Sequence, residues 1–297
     1  MLASTRHGEV RCDVYRSDRV GDGGTRPPVY LNFHGGAFIV REPQQDAHAC
    51  RFIAATTGAV VVNVDYDTAP KVQYPVAEEQ AMDVFNWIGQ HGDELGWNSD
   101  EVVVGGFSAG AKLAINVCQQ ARDTGTRMPL GVVACYPALN MTLPVAARSE
   151  SALKARAPGQ PKPAVAPWLI RLMYDTYFVN VKRRAEALAS PELDTDLASF
   201  PATLIVTGAL DSVSAEAERF AASLAAHGVD VRHRQFPNSD HGMTHNMPAD
   251  VAREALELIA EHVSQAFATT PSSPSFAHRK AIQSCSTVAP FPLRSSC

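Results

Sequence analysis

Short apolar runs alternate along this chain with segments in which apolar residues recur at helical spacing. Continuous β-branched runs of this kind are typical of strands that are covered on both faces of a sheet. Strands alternating with helices favour an α/β fold, in which a mostly parallel central sheet is flanked by helices. We predict strands over residues 10–15, 28–33, 59–64, 101–104, 130–136, 204–207 and 229–236. We predict helices over 44–57 and 74–90, directly after Gly110 as far as Gly125, around Phe220 and Leu224, and over 248–267.

Two segments depart from this alternation. The segment 141–195 carries five prolines before residue 168, followed by an apolar and aromatic run over 168–178. We interpret this segment as a small, cap-like insertion over one edge of the sheet. Residues 270–297 are rich in serine and proline and contain no acidic residue, which predicts a disordered tail. The folded α/β domain is therefore expected to span residues 1–269.

Composition narrows the class of protein. The chain has 297 residues, a formal net charge of −5 and 45% hydrophobic residues, so it can form a core and has no basic excess for nucleic acid. No apolar stretch approaches the roughly 20 residues of a membrane span, and the N-terminus lacks the apolar segment of a secretory signal. We expect a soluble, cytoplasmic protein with reduced thiols at its scattered cysteines, which are Cys12, Cys50, Cys118, Cys135, Cys285 and Cys297.

The strongest chemical motif is Gly106-Phe107-Ser108-Ala109-Gly110, which fits the pattern G-x-S-x-G. It lies between a predicted buried strand and a predicted helix, where a sharp turn can hold a nucleophilic serine clear of the backbone. Glycines two positions on either side relieve crowding at such a turn. The N-terminus of the helix also directs unpaired N–H groups and the positive end of its dipole at the serine.

A second motif, His34-Gly35-Gly36, directly follows another predicted strand. Consecutive glycines allow the backbone to approach a ligand closely and to present its N–H groups. Such donors stabilise the negative oxygen of a tetrahedral intermediate. Alone, this motif would indicate an ordinary glycine turn, but together with the serine motif it indicates an oxyanion hole.

Two further residues complete a candidate catalytic triad. Asp211 and His241 each follow a predicted strand, and ligand sites of open α/β sheets lie at that edge. The order Ser108, Asp211, His241 is that of the α/β-hydrolases. His241 would take the proton of Ser108, and Asp211 would orient the imidazole. Asp240 is adjacent to the histidine and is not expected to reach its Nδ1.

Metal and nucleotide chemistry find little support. His241 and His245 are four residues apart, but no glutamate follows His241 as in H-E-x-x-H, and no third ligand has a suitable spacing. There is no Walker lysine motif and no dinucleotide fingerprint. We therefore expect neither a metal nor another cofactor.

The chain resembles the hormone-sensitive lipase family of α/β-hydrolase esterases, which includes bacterial carboxylesterases and lipases. The resemblance covers residues 29–265. It implies a triad of Ser108, Asp211 and His241, with the backbone N–H groups of Gly35, Gly36 and Ala109 as oxyanion donors. It rests on His34-Gly35-Gly36, Asp65-Tyr66 with Ala69-Pro70, the serine motif from Gly106 to Gly110, the segment 208–211, and His241-Gly242.

The chain also departs from the family pattern. Ala37 stands where a third glycine is usual, Phe107 replaces an Asp or Thr before the serine, and the D-Y-R-L-A-P-E motif is altered over residues 65–71. Family members usually carry a helical cap segment before the first strands, and few residues precede residue 28 here. Either the substrate site is more open, or the chain lacks part of the natural protein. Residues 141–195 are then expected to cover most of the pocket.

The main functional hypothesis is a serine carboxylesterase that acts on short acyl esters, with a small-molecule ester as its partner. An amidase of the arylformamidase type is the first alternative. A ligand-binding protein without turnover is the second, as in the gibberellin receptors, and an interaction scaffold is the third. The sequence leaves the oligomeric state open, a homodimer included. Three candidates for the apolar wall of the pocket are Phe38, Trp168 and Tyr174.

Overall fold

The computed structural model describes residues 1–17, 26–246 and 248–269. Its core is one eight-stranded sheet with the order β1-β2-β4-β3-β5-β6-β7-β8. The pairs β1–β2 and β2–β4 are antiparallel, and every other pair is parallel. The strands are β1 Leu2–Thr5, β2 Gly8–Tyr15, β3 Val29–Phe33, β4 Val60–Asp65, β5 Val102–Phe107, β6 Gly131–Cys135, β7 Ala202–Gly208 and β8 Val231–Phe236.

Seven α-helices accompany the sheet within the described residues. Helix α1 packs on α7 and helix α2 packs on α3, and α3 and α7 both contact the central strands β5 and β6. The predicted α/β fold with a mostly parallel sheet is thereby confirmed. The helices are α1 Ala47–Thr57, α2 Val76–Leu95, α3 Ala109–Thr124, α4 Val145–Lys154, α5 Pro167–Thr176, α6 Ser214–Ala226 and α7 Ala249–Ala268.

The differences from the predicted elements have local causes. Helix α2 extends five residues beyond the predicted end, because it stops only where Gly96 adopts a left-handed conformation (φ 71°). Strand β1 was not predicted, since its four residues show little pattern. The connection from β6 to β7 contains α4, α5 and two 3-10 helices, at Val181–Ala185 and Pro191–Leu193. The predicted tail 270–297 lies outside the described residues.

The parallel strands set the position of the candidate site. The loops that carry His34, Ser108, Asp211 and His241 follow the carboxyl ends of β3, β5, β7 and β8. Because these strands are parallel, their carboxyl ends meet at one edge of the sheet, where ligands of open α/β sheets bind. No helix in the described part of the chain is both long and apolar enough to cross a membrane.

Candidate active site

Ser108 occupies a sharp turn between β5 and α3. Its backbone is in an unusual conformation for a residue other than glycine, with φ 55° and ψ −113°, and its N–H donates to the carbonyl of Cys135 at 2.9 Å. The turn requires glycine on both sides. A Cβ on Gly106 would lie 2.5 Å from the carbonyl oxygen of Phe33, and one on Gly110 would lie 1.9 Å from the same oxygen.

A chain of two hydrogen bonds joins the three residues of the candidate triad. His241 Nε2 lies 2.8 Å from Ser108 Oγ, and His241 Nδ1 lies 2.8 Å from Asp211 Oδ2. Because Nδ1 faces a carboxylate, it carries the proton, which leaves Nε2 free to accept the serine hydroxyl. Asp211 is itself held in place, since its Oδ1 accepts the N–H of Val213 at 3.1 Å. This is the arrangement that a general base needs in order to activate a hydroxyl nucleophile.

The electrostatic surroundings of His241 adjust its basicity. Burial alone would lower the pKa of the imidazole, but the negative charge of Asp211 and its hydrogen bond act in the opposite direction, and the pKa of His241 is raised. Asp240 adds to this increase from nearby, and the positive charge of Arg148 opposes it. The same interactions that raise the pKa favour the protonated imidazole, which makes His241 a better proton acceptor.

Asp240 is engaged by other groups. Its Oδ1 accepts the N–H of His241 at 2.7 Å, and its Oδ2 accepts the N–H of Ala164 at 2.8 Å and a hydrogen bond from Arg156. The carboxylate therefore ties the histidine loop to the segment between α4 and α5. The structure brings Asp211, and not Asp240, to the imidazole.

The loop after β3 is built around His34. This histidine is fully buried, its ring stacks on Tyr66 with centroids 4.3 Å apart, and Tyr66 donates to the His34 carbonyl at 2.7 Å. Burial lowers the pKa of His34, and its Nε2 is buried with no partner among the described residues. Its Nδ1 lies 2.6 Å from the Gly35 carbonyl. A neutral imidazole that donates from Nδ1 fits all of these observations.

The Gly35 carbonyl is fixed from two sides. Besides His34, the side chain of Gln45 donates to it through Nε2 at 3.1 Å. A trans peptide directs its carbonyl and the following N–H in opposite directions, so these bonds turn the N–H of Gly36 away from both donors. Gly36, at φ 124°, also approaches Val40 so closely that a Cβ would meet its carbonyl oxygen at 2.3 Å. No pattern in the sequence indicates the contribution of Gln45.

A cavity of about 310 Å³ lies beside the serine and is lined by Gly35, Gly36, Ser108, Ala109 and His241. The three residues predicted to supply the oxyanion donors thus line the same cavity as Ser108. Much of the remaining wall is apolar and comes from the loop after β3 and from the segment around α5, namely Phe38, Val40, Val165, Leu169, Ile170 and Met173.

Of the three aromatic residues expected in the pocket wall, only Phe38 lines this cavity. Trp168 was predicted wrongly, because it lies on the outer side of α5 and is 66% exposed. Tyr174 does not line the cavity either, since its hydroxyl donates to the Leu143 carbonyl at 2.9 Å. The inward face of α5 is instead formed by Ile170 and Met173, which are three residues apart and share one side of the helix.

His245 also borders the cavity, in a buried polar network. Its Nε2 lies 3.0 Å from Asp46 Oδ1, and its Nδ1 lies 2.7 Å from Thr244 Oγ1 and 3.1 Å from the Tyr136 hydroxyl. These bonds tie the loop after β8 to the segment before α1. Across the parts of the chain that the structure describes, no three His, Cys, Asp or Glu side chains gather as a set of metal ligands.

The chain is similar in sequence to a known protein family and to several curated proteins. A family model described as the alpha/beta hydrolase fold matches residues 30–245. Among curated proteins, the esterase LipI of Mycobacterium tuberculosis is 30% identical over 217 residues, which are 72% of this chain and 65% of LipI. The chain thus spans slightly less than two thirds of that relative. Human hormone-sensitive lipase is 32% identical over 121 residues, which are 41% of this chain and 11% of the lipase.

Solved structures agree with this result. An esterase from the archaeon Pyrobaculum calidifontis superimposes with a TM-score of 0.80 at 31% identity. The match covers 89% of this chain and 83% of the archaeal chain.

Proposed function

Because this chain belongs to the alpha/beta hydrolase fold family, we propose that it is a serine carboxylesterase that hydrolyses short-chain acyl esters. Ser108 is the nucleophile, His241 the general base and acid, and Asp211 the residue that orients the imidazole. The observation that carries this proposal is the continuous hydrogen-bond chain from Ser108 through His241 to Asp211, with both of its distances at 2.8 Å. The names of the relatives, which include esterases and a lipase, agree with it.

The proposed reaction passes through an acyl-enzyme. Ser108 Oγ attacks the ester carbonyl while His241 Nε2 takes its proton, and the imidazolium is stabilised by Asp211. The carbonyl oxygen becomes an oxyanion, which accepts hydrogen bonds from the N–H groups of Gly35, Gly36 and Ala109. His241 returns the proton to the leaving alcohol, and an acyl-enzyme forms. Water, deprotonated by the same imidazole, then attacks the acyl-enzyme and releases the acid.

The size of the cavity supports a small substrate. At about 310 Å³ it lies at the lower end of the range of ligand pockets, which is roughly 300–1,000 Å³. Its wall toward α5 is apolar, which suits a short hydrocarbon chain better than a charged group.

The first experiment is hydrolysis of p-nitrophenyl esters with acyl chains from C2 to C12. We expect turnover that is highest for the short chains and is lost in Ser108→Ala. Ser264→Ala serves as the matched control, because Ser264 lies on α7 and its hydroxyl donates only to the Ala260 carbonyl, at 2.8 Å. Activity that survives in Ser108→Ala, or folded wild-type protein without turnover, would contradict the proposal.

The same assay separates an esterase from an amidase. The wild-type protein is given p-nitrophenyl butyrate and the matching p-nitroanilide. An esterase hydrolyses the ester far faster, since an amine leaves less readily than a phenolate. Comparable rates on the two substrates would favour the amidase alternative.

A further inference from the structure

One charged side chain other than the histidines and Asp46 lines the cavity. Arg148 belongs to α4, is 3% exposed and lines the cavity. A guanidinium group is rarely buried without partners for its donors, because each unpaired donor costs free energy. The donors of Arg148 that lack a partner therefore indicate which chemical group of a ligand the cavity can bind.

Its partners use only part of the guanidinium group. Nη2 donates to the Asn140 carbonyl at 2.5 Å and to Glu216 Oε2 at 3.0 Å. Nε is buried and has no acceptor among the described residues. Nη1 also donates no hydrogen bond within the described residues. Arg148 lines the cavity, and Nη1 is one of its two side-chain nitrogen atoms without a partner among the described residues.

The carboxylate of Glu216 determines whether Arg148 is better suited to a charged or to a neutral hydrogen-bond acceptor on a bound molecule. Glu216 is buried beside Arg148, and its Oε2 also accepts the N–H of Leu139 at 3.1 Å. Burial raises the pKa of Glu216 to about 7, so at pH 8 the carboxyl group is mostly ionised and offsets the charge of Arg148. A carboxylate of the substrate would have to lose its hydration beside the negatively charged Glu216. A neutral oxygen has no charge to desolvate and needs only one hydrogen-bond donor.

We propose that Arg148 Nη1 donates a hydrogen bond to a neutral oxygen acceptor on the part of the ester that fills the cavity. Preferred substrates then carry a ketone, ether or hydroxyl oxygen in the chain that plain hydrocarbon esters lack. Arg148 is a specificity-determining residue in this role. The inference rests on the proposed esterase function, because it concerns the substrate of the same site.

Matched alkyl esters test the proposal at pH 8. On the acyl side, ethyl 4-oxopentanoate is compared with ethyl pentanoate and with monoethyl succinate, and on the alcohol side 2-methoxyethyl acetate is compared with butyl acetate. A donor left unpaired by a hydrocarbon costs enough to predict a kcat/KM about 5- to 100-fold higher for the oxygenated ester of one pair. The pair that shows this preference identifies the half of the ester that Arg148 contacts.

Variants assign the preference to the guanidinium group. The double variant Arg148→Met with Glu216→Gln removes the donor without leaving a buried charge, and it should bring the ratio close to one. Glu216→Gln alone keeps the donor and should keep the ratio. Arg232→Met is the surface control, since Arg232 is 52% exposed and pairs with Glu261.

The outcomes distinguish the two claims. If both esters of each pair are hydrolysed by Ser108-dependent turnover at equal rates, or if the double variant retains the preference, the role of Arg148 is wrong while the esterase function stands. If monoethyl succinate is the best acyl substrate, the acceptor is a carboxylate and the proposal of a neutral acceptor is wrong. If no ester is hydrolysed, the proposed function fails, and with it the inference.

Discussion

The substitution Gly110→Ala adds one methyl group at the second residue of α3. The new Cβ would lie 1.9 Å from the carbonyl oxygen of Phe33, 2.4 Å from its carbonyl carbon and 2.6 Å from the carbonyl oxygen of His34. All three atoms belong to the backbone, so no side chain can rotate away. To reach even 3.0 Å from the nearest atom, α3 and the end of β3 must separate by about 1 Å.

This separation acts on both halves of the candidate site. Helix α3 starts directly after Ser108, and β3 leads into His34-Gly35-Gly36. A misplacement of 1 Å between nucleophile and oxyanion donors costs about 100-fold in rate. Overpacking of a core by one methyl group costs about 1–3 kcal/mol of stability, and rigid backbone neighbours place this case at the upper end.

The assay compares kcat/KM for p-nitrophenyl butyrate with the midpoint of urea unfolding. Gly89→Ala is the matched control, because Gly89 lies within α2 and its Cβ would meet only the end of the Arg127 side chain, at 3.0 Å. There the alanine should raise helix stability by about 1 kcal/mol and leave activity unchanged. If Gly110→Ala were as active and as stable as Gly89→Ala, the close approach of α3 to β3 would not be what holds the site together.

Three further substitutions or treatments give distinct signatures. Asp211→Asn should lower kcat/KM about 10⁴-fold and move the acid limb of the pH–rate profile to lower pH. The reason is that the charge and the hydrogen bond of Asp211 no longer offset the lowering of the His241 pKa by burial, and a limb that stays in place would refute this. Gln45→Met removes a donor to the Gly35 carbonyl and should reduce kcat about 10-fold with little change in KM. This reduction is smaller than the one expected for the loss of a direct oxyanion donor. A change in KM alone would contradict the positioning role of Gln45. Burial raises the pKa of Cys12 to about 12, so maleimide at pH 8 should label this residue only after unfolding. Peptide mapping separates Cys12 from the other cysteines, and rapid labelling of Cys12 in the folded protein would be the contrary result.

The parts of the site that local chemistry dictates could be predicted from the sequence. A nucleophile on a tight turn needs glycines at 106 and 110, whatever the rest of the chain does. The β-branched runs fix the central strands, and the order of strands and helices then brings Asp211 and His241 to the edge where Ser108 lies. These residues are recognisable because each depends on its immediate neighbours in the chain.

The residues that depend on long-range packing could not be predicted. Gln45 meets Gly35 only because the chain turns back after the glycine loop, and Arg148 meets Glu216 across 68 positions of sequence. Neither position carries a pattern that separates it from an ordinary surface residue. The prediction for Trp168 failed for the opposite reason. A large aromatic residue in an apolar run suggests a pocket wall, but in the structure this side chain lies on the exposed side of α5.

Backbone strain provides independent support for the location of the site. Across the described residues, four that are not glycine have a clearly positive φ: Ala37 at 54°, Phe38 at 60°, Ser108 at 55° and Tyr136 at 40°. All four line the same cavity. Each such conformation costs about 1–3 kcal/mol and persists only where the surroundings enforce it.

The enforcing contacts can be identified. The N–H of Ser108 is held by the Cys135 carbonyl at 2.9 Å, and that of Tyr136 by the Val206 carbonyl at 2.6 Å, so strands β6 and β7 impose these conformations. Free energy from the packed sheet is thus used to hold the serine and the cavity wall in place before any substrate binds. Substitutions that relax this strain, such as Ala37→Gly, should therefore stabilise the fold without improving catalysis, because a more adaptable loop holds its oxyanion donors less firmly.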